Sequence, residues 1–152
     1  MVVGHLYVES RLVALIETRL FKPGDYVANL RFPAKVDLAR ALGLLQPEEC
    51  SALKRLNKLR NEFAHHIDFG LTDAVINEFY ALFIDPWHRR FIPPRTDDLL
   101  DDLRGVIMAI AVDLNAKTQL LSPLEPHVEQ LHMQILDALA PTRPPGKGEG
   151  QE

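Results

Sequence analysis

Three polar side chains near the middle of the chain have the types and spacing to do chemistry together: Arg60, Asn61 and His65. An arginine is a permanent cation whose planar guanidinium can bind a phosphate group through two parallel hydrogen bonds. A histidine can take up or release a proton near neutral pH. The set could therefore support phosphoryl transfer, or its members could be structural polar residues of a helical protein. The question of function largely reduces to choosing between these two interpretations.

The geometry of an α-helix limits what Arg60 and His65 can do within one chain. We predict a helix from Pro47 to about His65. Its apolar residues recur at helical spacing on one face: Leu53, Leu56, Leu59, Phe63 and Ile67. Arg60 falls within the same arc, so its charge should point toward the core or toward a partner surface. Five residues along a regular helix turn the side chain by about 140°, so Arg60 and His65 diverge. They could converge only if the helix ended or bent at His65, or if a symmetric dimer supplied one of them from a second copy.

A buried arginine needs a negative partner, because an unpaired buried charge is strongly destabilising. The first predicted helix, from about Leu6 to Leu20, carries Glu9 within its apolar stripe. That stripe consists of Val8, Leu12, Ile16 and Leu20. We therefore expect Glu9 to face Arg60. The pair would be either an ion pair that holds two helices together or a carboxylate that orients a catalytic or anion-binding arginine, and the angles alone favour the ion pair.

The whole pattern predicts an all-α, single-domain bundle of about six helices and no strand. The helices not yet described are expected at about Ala34–Leu45, Asp73–Phe83, Asp97–Leu114 and Pro123–Ala140. Thr72 and Thr96 have the side chains to cap the fourth and fifth helices. The domain should span residues 1–140. The Pro- and Gly-rich tail, residues 141–152, has no apolar anchor and should be disordered.

Composition narrows the class of protein. The 152 residues are 47% apolar and 25% charged, as in ordinary globular proteins, and the net charge is −4. This acidity argues against strong non-specific DNA binding, although a small RNA site stays open. With a single cysteine, no signal peptide and no membrane span, the sequence predicts a cytoplasmic protein without an internal disulfide. No cofactor or metal is expected, because zinc-ligand spacing and phosphate loops are lacking and the neighbouring His65 and His66 point about 100° apart.

A proline-bounded loop offers a second place where RNA could bind. Trp87, Arg89 and Arg90 mix an aromatic ring with two cations, which suits base stacking together with phosphate contact. The alternative is a loop whose aromatic residues pack on the bundle while the arginines face water, and this alternative is the favoured one. If the protein binds RNA, the loop is the contact expected after Arg60 and His65.

The stretch from Arg60 to His65 also resembles the R-x4-H motif of HEPN domains (higher eukaryotes and prokaryotes nucleotide-binding), an all-helical group. More narrowly, the chain is similar to the mannitol operon repressor-like branch of that group. The segments that carry the resemblance are residues 7–12, 32–45 and 53–65, and the whole resemblance extends over about Tyr7 to Phe83.

The resemblance implies two functions. In many HEPN domains the motif forms a metal-independent endoribonuclease in which a dimer brings two motifs together. Here Arg60 would hold the scissile phosphate, His65 would act as general acid or base, and Asn61 would orient either group. In the mannitol-repressor branch a similar motif accompanies a regulatory role without a recognised DNA-binding element, and this sequence likewise shows no evident reader of specific DNA sequences. HEPN toxins paired with nucleotidyltransferase antitoxins often carry a tyrosine two residues after the motif histidine, whereas this chain has Ile67. We therefore expect a regulatory homodimer with a protein partner (a regulator or an antitoxin), with the toxin or defence ribonuclease as the alternative.

Overall fold

The computed structural model describes residues 2–20, 25–65, 70–82 and 93–122, together with position 134. Over these residues the chain forms helices and no strand, which confirms the all-α class. The helices are α1 (Val2–Glu17), α2 (Tyr26–Asn29), α3 (Phe32–Ala41), α4 (Pro47–His65), α5 (Asp73–Leu82) and α6 (Leu99–Leu121). All of them belong to a compact unit that spans Met1–Ser122, and Pro123–Glu152 form a second unit.

The observed helices largely follow the predicted ones. Five of the predicted helices correspond to α1, α3, α4, α5 and α6. The short helix α2 was not predicted, and the helix predicted at 123–140 lies outside the described residues. The same is true of the 141–152 tail and of the loop that carries Trp87, Arg89 and Arg90. Among the described helices, none is both long and apolar enough to cross a bilayer.

Helix α1 organises the core, because it packs against α6 most extensively and also contacts α2, α3 and α4. The apolar spacing that predicts α1 and α4 is the spacing of the side chains that are buried. The largest fully buried side chains come from α1, α2, α3, α4, α5 and α6: Val8, Leu12, Leu15, Ile16, Val27, Val36, Leu53, Leu56, Leu59, Ile76, Phe79 and Leu114. Each such side chain contributes roughly 1.5–3 kcal/mol to the free energy of unfolding, so this core fixes where the polar residues between them can point.

The turn between α3 and α4 depends on Gly43, whose φ of 72° lies in the left-handed region. The Gly43 N–H donates to the Arg40 carbonyl and the Leu44 N–H donates to the Ala39 carbonyl, both at 2.9 Å. This double hydrogen bond satisfies carbonyls that the end of α3 would otherwise leave unpaired. It also turns the chain so that Leu44 is buried and α4 can begin four residues after Gly43.

The N-terminus of α4 is held by Glu49, whose carboxylate accepts the Gln46 N–H at 2.6 Å. This is one arm of a capping box, with Pro47 at the first helical position. The other oxygen of the buried Glu49 accepts a hydrogen bond from Lys117 of α6, and Lys117 also lies 3.4 Å from Asp113. A carboxylate that suits the helix dipole therefore also ties α4 to α6.

The start of α6 differs from the prediction. Thr72 caps α5 as expected, since its hydroxyl accepts the Val75 N–H at 3.5 Å. The prediction that Thr96 caps α6 is wrong, because the cap is Asp98, whose carboxylate accepts the Leu100 N–H at 2.7 Å. Thr96 instead donates its N–H to Asp102 at 2.8 Å. The buried Asp102 carboxylate needs that donor, which removes Thr96 from the capping position.

Arg95 connects the segment before α6 to α5. Its guanidinium donates to Asp102 and to Asp73, both at 2.7 Å, and also to Asn77. Burial by itself would raise the pKa of Asp102, but the hydrogen bonds from Thr96 and from Arg95 outweigh it and hold that pKa below its usual range. Asp102 therefore stays ionised in the folded protein, and the ion pair fixes α5 against α6.

We predict that Gly43→Ala lowers the free energy of unfolding by about 1 kcal/mol, because a Cβ disfavours the left-handed conformation. Nothing lies within 4 Å of that Cβ, so the cost comes from the backbone alone. Gly70→Ala is the matched control, since Gly70 is equally open but lacks a positive φ. Urea unfolding of both variants measures the difference, and equal stabilities would contradict the account of the turn.

Candidate functional site

Helix α4 carries all three motif residues, and it is continuous from Pro47 to His65. Leu56 and Leu59 are fully buried, and they orient the helix so that Arg60 and Asn61 are half-buried beside the core. His65 is the last residue of the helix and is exposed. The helix ends at His65, but both residues still lie within it, so their Cα–Cβ bonds point about 140° apart. The structure therefore does not bring the predicted pair together within one chain.

The Arg60 guanidinium makes its hydrogen bond to its neighbour on the same helix. Its Nη1 donates to Oδ1 of Asn61 at 2.8 Å. The Asn61 side chain therefore orients the arginine rather than His65, although residues 61 and 65 lie nearly in line on the helix. Within the described ranges no carboxylate lies within ion-pair distance of Arg60, so its positive charge is available to a group outside these residues.

Glu9 has a different partner from the one predicted. Its carboxylate accepts a hydrogen bond from Nζ of Lys35 on α3 at 2.5 Å. The Lys35 side chain is only 5% exposed and the Glu9 side chain is 24% exposed. A deeply buried ammonium needs a carboxylate more than a half-buried guanidinium does, because the guanidinium keeps contact with water. The expected Glu9–Arg60 ion pair is therefore replaced by a Glu9–Lys35 ion pair between α1 and α3.

His5 lies at the same junction and completes a cluster that sequence reasoning missed. It is 2% exposed, and its ring packs on the Phe32 ring with the centroids 4.5 Å apart. Burial is the largest effect on its pKa and lowers it, and the Arg60 charge lowers it further. The Glu9 charge and the nearby Asn57 side chain oppose that shift without cancelling it. His5 is therefore a neutral buried histidine near Arg60.

Five polar residues lie in this region, and we name them the junction cluster: His5, Glu9, Lys35, Asn57 and Arg60. The cluster joins α1, α3 and α4, and it has two fixed cations against one carboxylate. A signal for two of its members was present in the sequence. His5 precedes Val8 and Leu12 by three and seven residues, and Lys35 follows Phe32 by three, so both fall on buried helical stripes.

The described ranges give no indication of a metal centre, since no three His, Cys, Asp or Glu side chains in them come together in a way that could hold an ion. The single cysteine, Cys50, is buried, and burial raises the pKa of its thiol. A raised thiol pKa disfavours the reactive thiolate. The candidate site therefore consists of Arg60 and Asn61 on α4, with the junction cluster behind them and His65 at the helix end.

A comparison of the chain with protein-family models, with curated proteins and with solved structures finds no match.

We predict that Glu9→Gln lowers the free energy of unfolding by about 3 kcal/mol, because it leaves the buried Lys35 ammonium without a counter-charge. Arg60→Ala should cost less than about 1 kcal/mol, since the half-buried guanidinium is not part of an ion pair in the described structure. Urea unfolding at pH 7 measures both values.

Glu17→Gln is the control for charge removal on the same helix, because Glu17 is exposed at the end of α1. It should leave stability within about 0.5 kcal/mol of the parent protein. Large losses in both Arg60→Ala and Glu9→Gln would show that Arg60 also needs this carboxylate, and a small loss in Glu9→Gln would contradict the role given to the Glu9–Lys35 ion pair.

Proposed function

We propose that this protein is a small helical regulator, similar in kind to the mannitol operon repressors, that works through contacts with protein chains, including a second copy of itself. The observation that supports the proposal most is an exposed apolar surface on two packed helices. We name it the α1–α6 face and define it by five residues: Val3, Leu6, Tyr7, Met108 and Val112. Val3 is 81% exposed and Met108 is 54% exposed.

These five side chains form one surface because α1 and α6 approach closely. A Cβ built on Gly4 would lie 3.1 Å from Cγ2 of Ile107, so the first turns of α1 rest directly on the middle of α6. Val3, Leu6 and Tyr7 follow one another at helical spacing on the outer side of α1, while Met108 and Val112 do so on α6. Contiguous exposed apolar surface marks protein interaction sites, and Tyr and Met are enriched in the centres of interfaces.

The candidate site also favours a regulator over an enzyme within one chain. Arg60 and His65 diverge on an unbroken helix, and Asn61 binds the arginine instead of orienting the histidine. The net charge of −4 is unfavourable for binding long nucleic acids. A cytoplasmic location agrees with this role and is part of the proposal.

A metal-independent endoribonuclease, in a toxin or defence system, is the second candidate. It is favoured by one observation: Arg60 lies in no ion pair within the described residues, while the acid expected for it is bound to Lys35. A guanidinium without an acidic partner can bind a scissile phosphate, and His65 could then transfer protons at the RNA 2′-OH. Asn61 would hold Arg60 in place. This candidate needs a dimer in which His65 comes from the second copy.

We predict that the protein is a dimer and that Met108→Glu weakens self-association at least tenfold. A carboxylate in the centre of an apolar interface must be desolvated when the copies associate. Sedimentation velocity over a range of concentrations measures the dissociation constant. Ala74→Glu is the control, because Ala74 is exposed in the first turn of α5, away from the α1–α6 face. A monomeric parent protein, or equal dissociation constants for both variants, would contradict the proposal.

The ribonuclease candidate makes a separate prediction. If the regulator proposal holds, the purified dimer leaves single-stranded RNA intact in EDTA at pH 7. Gel electrophoresis of a labelled RNA measures this directly. Cleavage that persists in EDTA and is lost at least 100-fold in both Arg60→Ala and His65→Ala, with circular dichroism unchanged, would instead establish the second candidate.

A further inference from the structure

We propose that His5 is an acid-sensitive latch, such that protonation of its ring releases the first turns of α1 from α3 and α4. The inference goes beyond the proposed function, because it depends only on the surroundings of His5. It holds whichever partner the α1–α6 face binds and whether or not Arg60 takes part in catalysis.

The first observation is the environment of the ring. His5 is 2% exposed and packs on Phe32, whose ring is tilted by 44° to the imidazole. Neither ring nitrogen makes a well-aligned hydrogen bond to another described residue, although the Asn57 side chain lies near. A neutral imidazole tolerates this environment moderately well. An imidazolium does not, because burial removes its hydration and the nearby Asn57 and Glu9 side chains do not fully compensate for that loss.

The second observation is the set of charges that face the ring. On α1 the nearby charge is Glu9, which binds Lys35 of α3 at 2.5 Å. On α4 it is Arg60, whose positive charge opposes protonation of His5. On the side of α6, the neighbouring Gly4 meets the aliphatic side chain of Ile107. A protonated His5 would therefore place a third cation beside one carboxylate that is already paired.

These observations fix the direction of the pH effect. The ordinary histidine pKa is 6.5, and His5 in the folded protein lies below it. Well above pH 6.5, His5 is neutral both when the first turns of α1 are packed on the bundle (docked) and when they are not (released). Protonation then does not favour release. Below pH 6.5 the released form binds a proton that the docked form does not bind. Each further unit of pH then favours release by up to tenfold, until the pKa of the docked form is reached.

The position of His5 makes the release local. Only the first turn of α1 precedes it, and Val3, Leu6 and Tyr7 around it are largely exposed. The later part of α1 is anchored by Leu12, Leu15 and Ile16, which are fully buried. Fraying of a helix end costs less free energy than global unfolding, so the charge on His5 is relieved by undocking of residues 2–5, while the buried Val8 and the Glu9–Lys35 ion pair stay in place. The undocking frees the amides of residues 6–9 from their helical acceptors and displaces Val3 from the α1–α6 face.

Hydrogen exchange tests the latch. The measurement compares protection of the amides of residues 6–9 in the full-length protein at pH 7.5 and at pH 5.5, with each rate corrected for the intrinsic exchange at that pH. We expect the opening equilibrium of these amides to rise at pH 5.5, by up to about tenfold, while the amides of residues 106–114 in α6 remain protected. His5→Phe keeps a ring on Phe32 but cannot be protonated, so it should remove the acid response. His65→Gln should keep it, because His65 is exposed.

A second measurement keeps the test decisive if His5→Phe does not fold. Titration of the His5 imidazole by NMR in the parent protein should show protonation below pH 6.5, the ordinary histidine pKa, together with loss of the α1 amide signals. An acid response that is the same in His5→Phe, equal loss of protection in α1 and α6, or protonation of His5 with α1 still protected would each overturn the proposal.

Discussion

The ion pair between Glu9 and Lys35 is the interaction on which the rest of this structure depends. It lies where α1 and α3 meet, and its ammonium is among the most deeply buried charges of the described residues. Because Lys35 binds the only acid of the junction cluster, Arg60 makes no ion pair with a described residue and is held by Asn61 instead. His5 lies in the same cluster, and burial is the largest of the effects that lower its pKa.

Both candidate functions are compatible with this distribution of charge. A cation that makes no ion pair with the described residues is suited to an external anion, whereas an exposed apolar surface on α1 and α6 is suited to another protein chain. Arg60 and His65 diverge on α4, so a ribonuclease would need the histidine of a second copy of the chain. Self-association is therefore relevant to both candidate functions. The ribonuclease candidate needs a second copy of the chain to supply His65, whereas the regulator candidate needs only the exposed apolar surface, and for that reason we propose the regulator first.

The sequence predicts five of the six described helices but not the partners of their polar residues. Apolar spacing predicts α1, α4 and α6, and Pro47 and Gly43 mark the turn between α3 and α4, because helix faces and helix ends are local properties. The partner of Glu9 is not local. Angles show that Glu9 and Arg60 both face inward, but they do not show that Lys35 of α3 lies closer. The predicted cap of α6 is wrong for a similar reason, because Thr96 donates its N–H to the buried Asp102. Helix α2 was not predicted because its four residues are too few to show a periodic pattern.

The most direct test of the central ion pair is a pair of double-mutant cycles measured by urea unfolding at pH 7. One cycle combines Glu9→Gln with Lys35→Met, and the other combines Glu9→Gln with Arg60→Met. The account predicts a coupling free energy of at least about 2 kcal/mol for Glu9 with Lys35 and less than about 0.5 kcal/mol for Glu9 with Arg60. The reverse order, with the larger coupling to Arg60, would contradict it.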